Sequence, residues 1–411
     1  MLAHLSSQKP GLKTPAHSAY GLVHGSTACL LRHHTATATP SPADSLVRSA
    51  HSVIPRASRT FGAPARHRID TAPKSNDTST DSAPIYRRAW TYTPPAPASR
   101  MRVLVTGATG FVGNRLVPAL IEAGHDVRVL TRSGDGYDGP ADDVCEGDIL
   151  DAGTFEHALE GIDVAYYLIH SMDSGTDFAA RDRQAAHNFQ RAASEAGLDR
   201  VLYLGGLGET RQGLSEHLMS RREVETILAD GSYDLTTLRA AIIVGEGSSS
   251  FAMVEQLVGR LPVMVTPKWV RTECQPIAIA DVIAYLVGCL DAPETAGDTF
   301  EIGGSAVLTY RELLERTAEI ADRSLFVLPV PVLSPKLSAY WVDLVTDIPK
   351  AVAHPLILGL KNTVVVDDTR IEQLVPIEPT DFTTAVERAL GHQAEPDATE
   401  RAARAEIEPE R

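Results

Sequence analysis

Lysine is nearly missing from most of this chain. Between Met101 and Arg411 only Lys268, Lys336, Lys350 and Lys361 occur, and those 311 residues carry 26 basic against 49 acidic side chains, a net of −23. So acidic a body repels nucleic acid and anionic membrane, which argues against both as partners. It suits a protein kept soluble in concentrated salt, where screening relieves self-repulsion, and the expectation is a halophilic, cytoplasmic protein. Cysteine is scarce too. Cys29, Cys145, Cys274 and Cys289 show neither metal-ligand spacing nor the even framework of a secreted scaffold, so no metal site is expected. No uninterrupted apolar run reaches the roughly 18 to 20 residues of a transmembrane helix, so no integral membrane segment is expected. Hydrophobic residues still make up 43% of the 411, ample for a sizeable core.

The first hundred residues differ from the rest. They hold 11 of the 26 prolines, 7 of the 14 histidines, 12 basic and 4 acidic side chains. Neither helical nor strand periodicity persists, and runs such as TATATPSPADS and TYTPPAPAS cannot bury enough apolar surface to offset chain entropy. This Arg-, Ser- and Ala-rich, acid-poor stretch also reads as an organellar transit peptide. The abrupt compositional break at Met101 favours a disordered, mis-assigned or dispensable extension instead. The expected organisation is an extension over 1–100, a dinucleotide-binding core over 101–247, a substrate lobe with C-terminal helices over 248–390, and a charged tail over 391–411.

The segment MRVLVTGATGFVGNRLVPALIEAGHDVRVLTRS holds a β-α-β pattern. Arg102–Thr106 is a β-branched run suited to a buried parallel strand. Gly107, Gly110 and Gly113 follow at G-x-x-G-x-x-G spacing, and a helix is expected from about Val112 to Ala123. The first glycine permits the tight turn, the second lets backbone approach a pyrophosphate, and the third removes a side chain where helix packs on strand. Free N–H groups at the helix start then hold phosphate charge. Cofactor choice is read at the end of the second strand, Asp126–Leu130. Thr131-Arg132-Ser133 stands where an acidic residue would select NAD(H), and a guanidinium there favours NADP(H) over NAD(H).

Further strands are expected at the VCEGDILD segment, Ile162–Ile169, RVLYLGG and Asp234–Val244, with helices over Asp177–Ala196, Ser215–Ala229 and Ala280–Leu290. Asp281 is read as opening or capping the last of these. Alternating strands and helices predict an α/β fold, a doubly wound parallel sheet of Rossmann type with a small C-terminal substrate lobe. Ligand is then expected at the carboxyl ends of the strands, near the switch point between strands one and four.

The residues TGATGFVG, GDILD, DVAYYLIHSM, DRQAAHNFQRAASEAG and RVLYLGGLG resemble the short-chain dehydrogenase/reductase superfamily, in its extended, atypical branch often labelled NmrA-like or NAD(P)H-binding. The segments LRAAIIVGEGSSSF, LPVMVTPKWVRTECQPIAIADV and TFEIGG continue the likeness, which covers about Met101–Asn362. It implies that Gly107, Thr109, Gly110, Phe111, Val112 and Gly113 line the cofactor phosphates. Arg132 would meet the adenosine end, Asp148 and Ile149 the adenine, and Leu168, Ile169 and His170 the nicotinamide ribose.

One departure is plain. Family enzymes that transfer hydride carry a serine after strand five and Tyr-x-x-x-Lys in the next helix. Here Gly205-Gly206 replace the serine, and HLMSR puts His217 and Arg221 at the tyrosine and lysine positions. His217 is a candidate acid/base beside the fixed charge of Arg221, or else a helix-surface histidine. His170 is a second candidate, or a backbone-bonding histidine. Tyr166, Tyr167 and Tyr203 read as packing residues. Trp269 and Arg271 suit a planar or anionic part of a substrate, or simple packing. The Pro-broken apolar run from Leu325 to Leu360 suits a pocket wall or a homo-oligomer surface. Three functions are weighed: an oxidoreductase acting on a small carbonyl, alcohol or quinone-like compound; a non-catalytic NAD(P)-sensing protein; and a nucleotide-sugar epimerase.

Overall fold

The computed structural model describes residues 99–171, 177–208, 214–266, 268–329 and 346–391. The expectations for the N-terminal extension and the charged tail lie outside them, except for residues 99, 100 and 391.

Seven parallel strands form the central sheet. In chain order they are β1 (Arg102–Thr106), β2 (Asp126–Thr131), β3 (Asp143–Glu146), β4 (Val164–Tyr167), β5 (Arg200–Gly206), β6 (Asp234–Ala240) and, much later, β11 (Thr299–Ile302). Their spatial order is β11-β6-β5-β4-β1-β2-β3, so the order reverses between β1 and β4. Period-two alternation divides two cores. Val103, Val105, Val164, Tyr166, Leu202 and Leu204 face one side, under α1 (Gly113–Glu122) and α5 (Ile279–Asp291). Leu104, Ala165, Tyr167, Val201 and Tyr203 face the other, under α2 (Phe178–Ala196) and α3 (Glu216–Ala229). Both faces are covered, as near-continuous apolar parallel strands require. The three tyrosines are fully buried; Tyr166 donates its hydroxyl to Leu286 O at 2.8 Å and Tyr203 to Arg221 O at 3.0 Å.

Three expectations need correction. The expected strand Asp234–Val244 breaks at Ala240, and Ile243–Val244 (β7) leaves the main sheet to pair with Ile277–Ala278 (β10). The seventh strand, β11, comes from far beyond residue 247, so the core is not confined to 101–247. Asp281 caps nothing on its own helix. Ala278 is the N-cap residue of α5, and the buried Asp281 carboxylate accepts from Thr380 N (2.9 Å) and Thr380 Oγ1 (2.7 Å), tying a distant segment to the core.

The lobe beside the sheet is built from α4 (Ser249–Arg260), α6 (Tyr310–Ile320), α7 (Lys350–Gly359) and α9 (Phe382–Ala389), with the single turn α8 (Ile371–Leu374) between the last two. Short strand pairs join β8 (Val263–Thr266) to β13 (Phe326–Pro329) and β9 (Glu273–Cys274) to β12 (Leu308–Thr309). No helix among the described residues is long and apolar enough to cross a membrane.

Candidate active site

A cleft of about 1090 Å³ opens at the carboxyl ends of the strands, where β1 and β4 part. Thr106 locks this point: its hydroxyl donates to Tyr166 O (2.9 Å) and accepts the Leu168 N–H (3.2 Å). Gly107 then turns the chain with φ +71°, and a Cβ there would meet Leu168 O at 3.0 Å. Gly113 is tighter still, because a Cβ would lie 2.2 Å from Gly107 O. The helix N-terminus behind this turn has Val112 at its cap, no side-chain capping bond and no acid in its first turn. The Asn114 and Arg115 N–H groups turn back to Gly110 O (3.0 Å) and Val112 O (3.1 Å), so what faces an anion here is the glycine turn and the positive dipole end of the helix. Arg115 lies over the Phe111 ring at 4.8 Å and donates to Phe111 O and Glu246 O, both at 2.8 Å, which pins the turn to the chain after β7. A side-chain-free cradle facing an uncapped helix end fits a dinucleotide diphosphate.

The end of the cleft expected to take adenosine follows β2 and β3. Arg132 and Ser133 are exposed at the end of β2 and line the cleft, as do Asp148 and the buried Ile149. Asp148 is preset by its loop: its N–H reaches Thr154 Oγ1 (3.1 Å) and its carboxylate accepts the Leu150 N–H (3.0 Å). One residue not singled out from sequence also supports this loop: Asn188, buried on α2, donates to Ile149 O (2.8 Å) and Leu150 O (3.1 Å).

At the end of β4, Leu168, Ile169 and His170 line the cleft opposite His217 and Arg221 of α3. The two imidazoles stack, centroids 5.1 Å apart at 20°. Arg221 is buried, lies 5.0 Å over the Tyr203 ring, and donates to Leu204 O (2.7 Å) and Ile169 O (3.5 Å). Its guanidinium therefore fastens the ends of β5 and β4 together beneath the stacked rings. Asp182 of α2, another residue not singled out, is 1% exposed and contacts His170. Burial raises its carboxyl, but His170, the Ser171 N–H and Arg221 outweigh this and hold it below the usual carboxylate value.

Beyond the histidines the cleft changes character. Ile242, Met253, Leu257, Leu313, Leu356 and Leu360 contribute to its wall, with Ser248 to Ser250 at the start of α4. Among the described residues lining this half, none is charged. Arg271, expected near the substrate, is exposed on the 3-10 turn Lys268–Arg271 and does not line the cleft, since that turn carries it outward. Trp269 sits on the same turn, its side chain outside the described residues. Most of the Pro-broken apolar run also lies outside them, although Leu356 and Leu360 from its end do line the pocket.

Residues 107–289 match the family model described as NAD(P)H-binding. A UDP-glucose 4-epimerase from Vibrio cholerae is 23% identical over 265 residues, covering 57% of this chain and 80% of its own. A (4-alkanoyl-5-oxo-2,5-dihydrofuran-3-yl)methyl phosphate reductase from Streptomyces griseus subsp. griseus is 26% identical over 233 residues, covering 54% of this chain and 75% of its own. The solved structure of a nucleoside-diphosphate-sugar epimerase from Staphylococcus aureus shares the fold, with TM-score 0.56 and 17% identity over 71% of this chain and 100% of that one. Residues 107–289 thus carry the NAD(P)H-binding domain of the extended short-chain dehydrogenase/reductase type.

The departures from that type have steric and electrostatic content. A Cβ on Gly206, one of the two glycines where a serine is expected, would lie 2.8 Å from Leu218 Cδ2, so that side chain would have to turn aside. The surroundings of His217, at the tyrosine position, oppose its protonation. Burial, with repulsion from His170 and Arg221, pushes its imidazole down to about 3, and its Nδ1 is buried with no hydrogen-bond partner among the described residues. The folded chain therefore holds this ring neutral, whereas an unfolded chain protonates it near about 6.5. Stability from this site is full above about pH 6.5 and declines as pH falls toward about 3, because only the unfolded state takes up the proton. His217→Gln is expected to flatten that decline, read as the midpoint of thermal unfolding against pH; an unchanged slope would show His217 to be solvated.

Proposed function

We propose that this chain is an NADP(H)-dependent oxidoreductase that transfers hydride to or from a small, apolar carbonyl, alcohol or quinone-like compound. The observation that carries this is the continuity of the cleft, which runs from the glycine turn past His170 into a chamber whose described lining is apolar and uncharged. Gly107, Thr109, Gly110, Phe111, Val112 and Gly113 would hold the diphosphate. Arg132 would meet a 2′-phosphate, Asp148 and Ile149 the adenine, and Leu168 and Ile169 the nicotinamide end. The bound cofactor would supply or accept the hydride. His170 would exchange the proton at substrate oxygen, because the surroundings of His217 oppose its protonation. Arg221 supplies a fixed positive charge behind both. The acidic, lysine-poor body is read as halophilic and cytoplasmic, without nucleic-acid partners.

A nucleotide-sugar epimerase reading is weaker. A substrate carrying its own diphosphate is best met by cationic partners, and the described residues of the apolar half offer no charged side chain, only the start of α4 at Ser248 to Ser250.

Loss of NADPH absorbance, followed in molar KCl against a panel of aldehydes, ketones and quinones, tests the proposal. Turnover on apolar members supports it; tight NADPH binding without turnover on any of them shifts the reading to a redox sensor. Arg132→Ala is expected to weaken NADPH by about 10- to 100-fold, the worth of a charge-assisted contact of 1.4 to 2.7 kcal/mol, and to leave NADH nearly unchanged. Fluorescence titration with the two cofactors measures it, and equal effects on both would remove Arg132 from selectivity.

A further inference from the structure

The buried carboxylate of Asp182 has a stability cost that needs a reason. It sits on α2 among Ala185, Ala186 and Phe189 on a face packed into the core, and an ionised group out of water costs several kcal/mol unless it is well paired. Its partners are specific. Oδ1 accepts the Ser171 N–H at 2.8 Å, while Oδ2 faces Ser220 Oγ at 3.4 Å and His170 Nδ1 at 3.6 Å. The His170 ring, whose side chain is 30% exposed, therefore has one edge toward a buried anion while it lines the cleft. Around it stand Asp182 and Arg181 from α2, and His217 and Arg221 from α3. The stacked His217 ring is neutral and adds no second positive charge against an imidazolium. Arg221 is turned to the Leu204 and Ile169 carbonyls.

We infer that Asp182 is a positioning residue that fixes the proton of His170 on Nδ1 and so makes Nε2 the atom that exchanges a proton with substrate oxygen. This rests on the hydride-transfer reading above. In the reducing direction the His170 Nε2–H bond breaks and a substrate O–H bond forms, while the two hydride electrons reach the carbonyl carbon from the reduced nicotinamide. The imidazole regains its proton from water, and Asp182 stays a carboxylate throughout. The 3.6 Å contact is an ion-pair distance of the kind that tightens when substrate is in place. The Asp–His pair thereby does the work that the missing tyrosine and lysine do elsewhere in the family.

Asp182→Asn separates this role from packing. Because the Ser171 N–H holds Oδ1, the asparagine keeps its carbonyl oxygen there and turns its NH2 toward His170, which drives the ring proton to Nε2. Long-range 1H–15N spectra of the histidine-labelled full chain with NADP+, assigned through His170→Asn, are expected to show Nδ1–H in the wild type and Nε2–H in Asp182→Asn. Nε2–H in the wild type, or one tautomer in both, overturns the inference; the wild-type spectrum decides even if the variant does not fold. With NADPH and 9,10-phenanthrenequinone as probe, kcat is expected to fall about 100-fold or more in Asp182→Asn while the NADPH Kd stays within about threefold. Asp182→Glu should recover part of kcat. Absent wild-type turnover on the probe would count against hydride transfer, while the tautomer pair still decides the role of Asp182.

Discussion

Gly113→Ala is expected to abolish dinucleotide binding and to lower stability together. A methyl group at this position would lie 2.2 Å from Gly107 O and 2.7 Å from the Ala108 Cα, both backbone atoms that no rotamer change can move aside. Either the turn after β1 opens or the first turn of α1 shifts outward, and both dismantle the N–H cradle. The Kd for NADPH should rise at least about 100-fold, or 2.7 kcal/mol. Overpacking at a rigid site should also cost about 1–3 kcal/mol of folding stability. Gly110→Ala is the control: its Cβ meets only Gly107 O, at 3.2 Å, on an exposed position facing the cleft. That variant should keep the melting temperature nearly unchanged and still weaken NADPH. Calorimetric titration with thermal denaturation of both variants reads the result, and Gly113→Ala binding as well as wild type would refute the cradle.

The second large effect is expected at Arg221. Its side chain is buried, satisfies the Leu204 and Ile169 carbonyls at the ends of two central strands, and lies over Tyr203. Arg221→Met fills much of the volume yet leaves both carbonyls without that donor, so unfolding free energy should fall by about 2–4 kcal/mol. Lysine should recover only part of this, because one ammonium cannot reproduce a fork that spans two carbonyls and stacks on a ring. Urea denaturation at neutral pH measures the series. A loss below about 0.5 kcal/mol in Arg221→Met would mean that the guanidinium is solvated rather than structural.

The glycine turn was legible in sequence because a missing Cβ records a backbone need directly: Gly107 turns with positive φ and Gly113 packs on it. Strands β1, β4 and β5 were legible because both of their faces are buried, so apolar, β-branched and aromatic residues dominate them. The pairing of β11 with β6 was not, since nothing local in Thr299–Ile302 records a partner 62 residues earlier. Neither was the clamp between Asp281 and Thr380, because an acid in the first turn of a helix looks like a cap whether or not it bonds elsewhere. Asp182 and Asn188 carried a signal that could have been read. They fall on the same helical face as Ala185, Ala186, Phe189 and Ala192, where a polar side chain must have a buried partner. For His217 the spacing from Arg221 matches the family's helix, while the burial that opposes its protonation leaves no mark in the sequence. Arg271 shows the limit of composition, since an arginine near apolar residues in sequence can still face solvent.

Calorimetric titration of the full chain in molar KCl with NADPH, NADP+, NADH and NAD+ tests the central claim most directly. The account predicts one site per chain, with micromolar affinity for the phosphorylated pair and weaker binding of the other pair. Heat absent for all four nucleotides would contradict it, leaving the fold in place and removing the function built upon it.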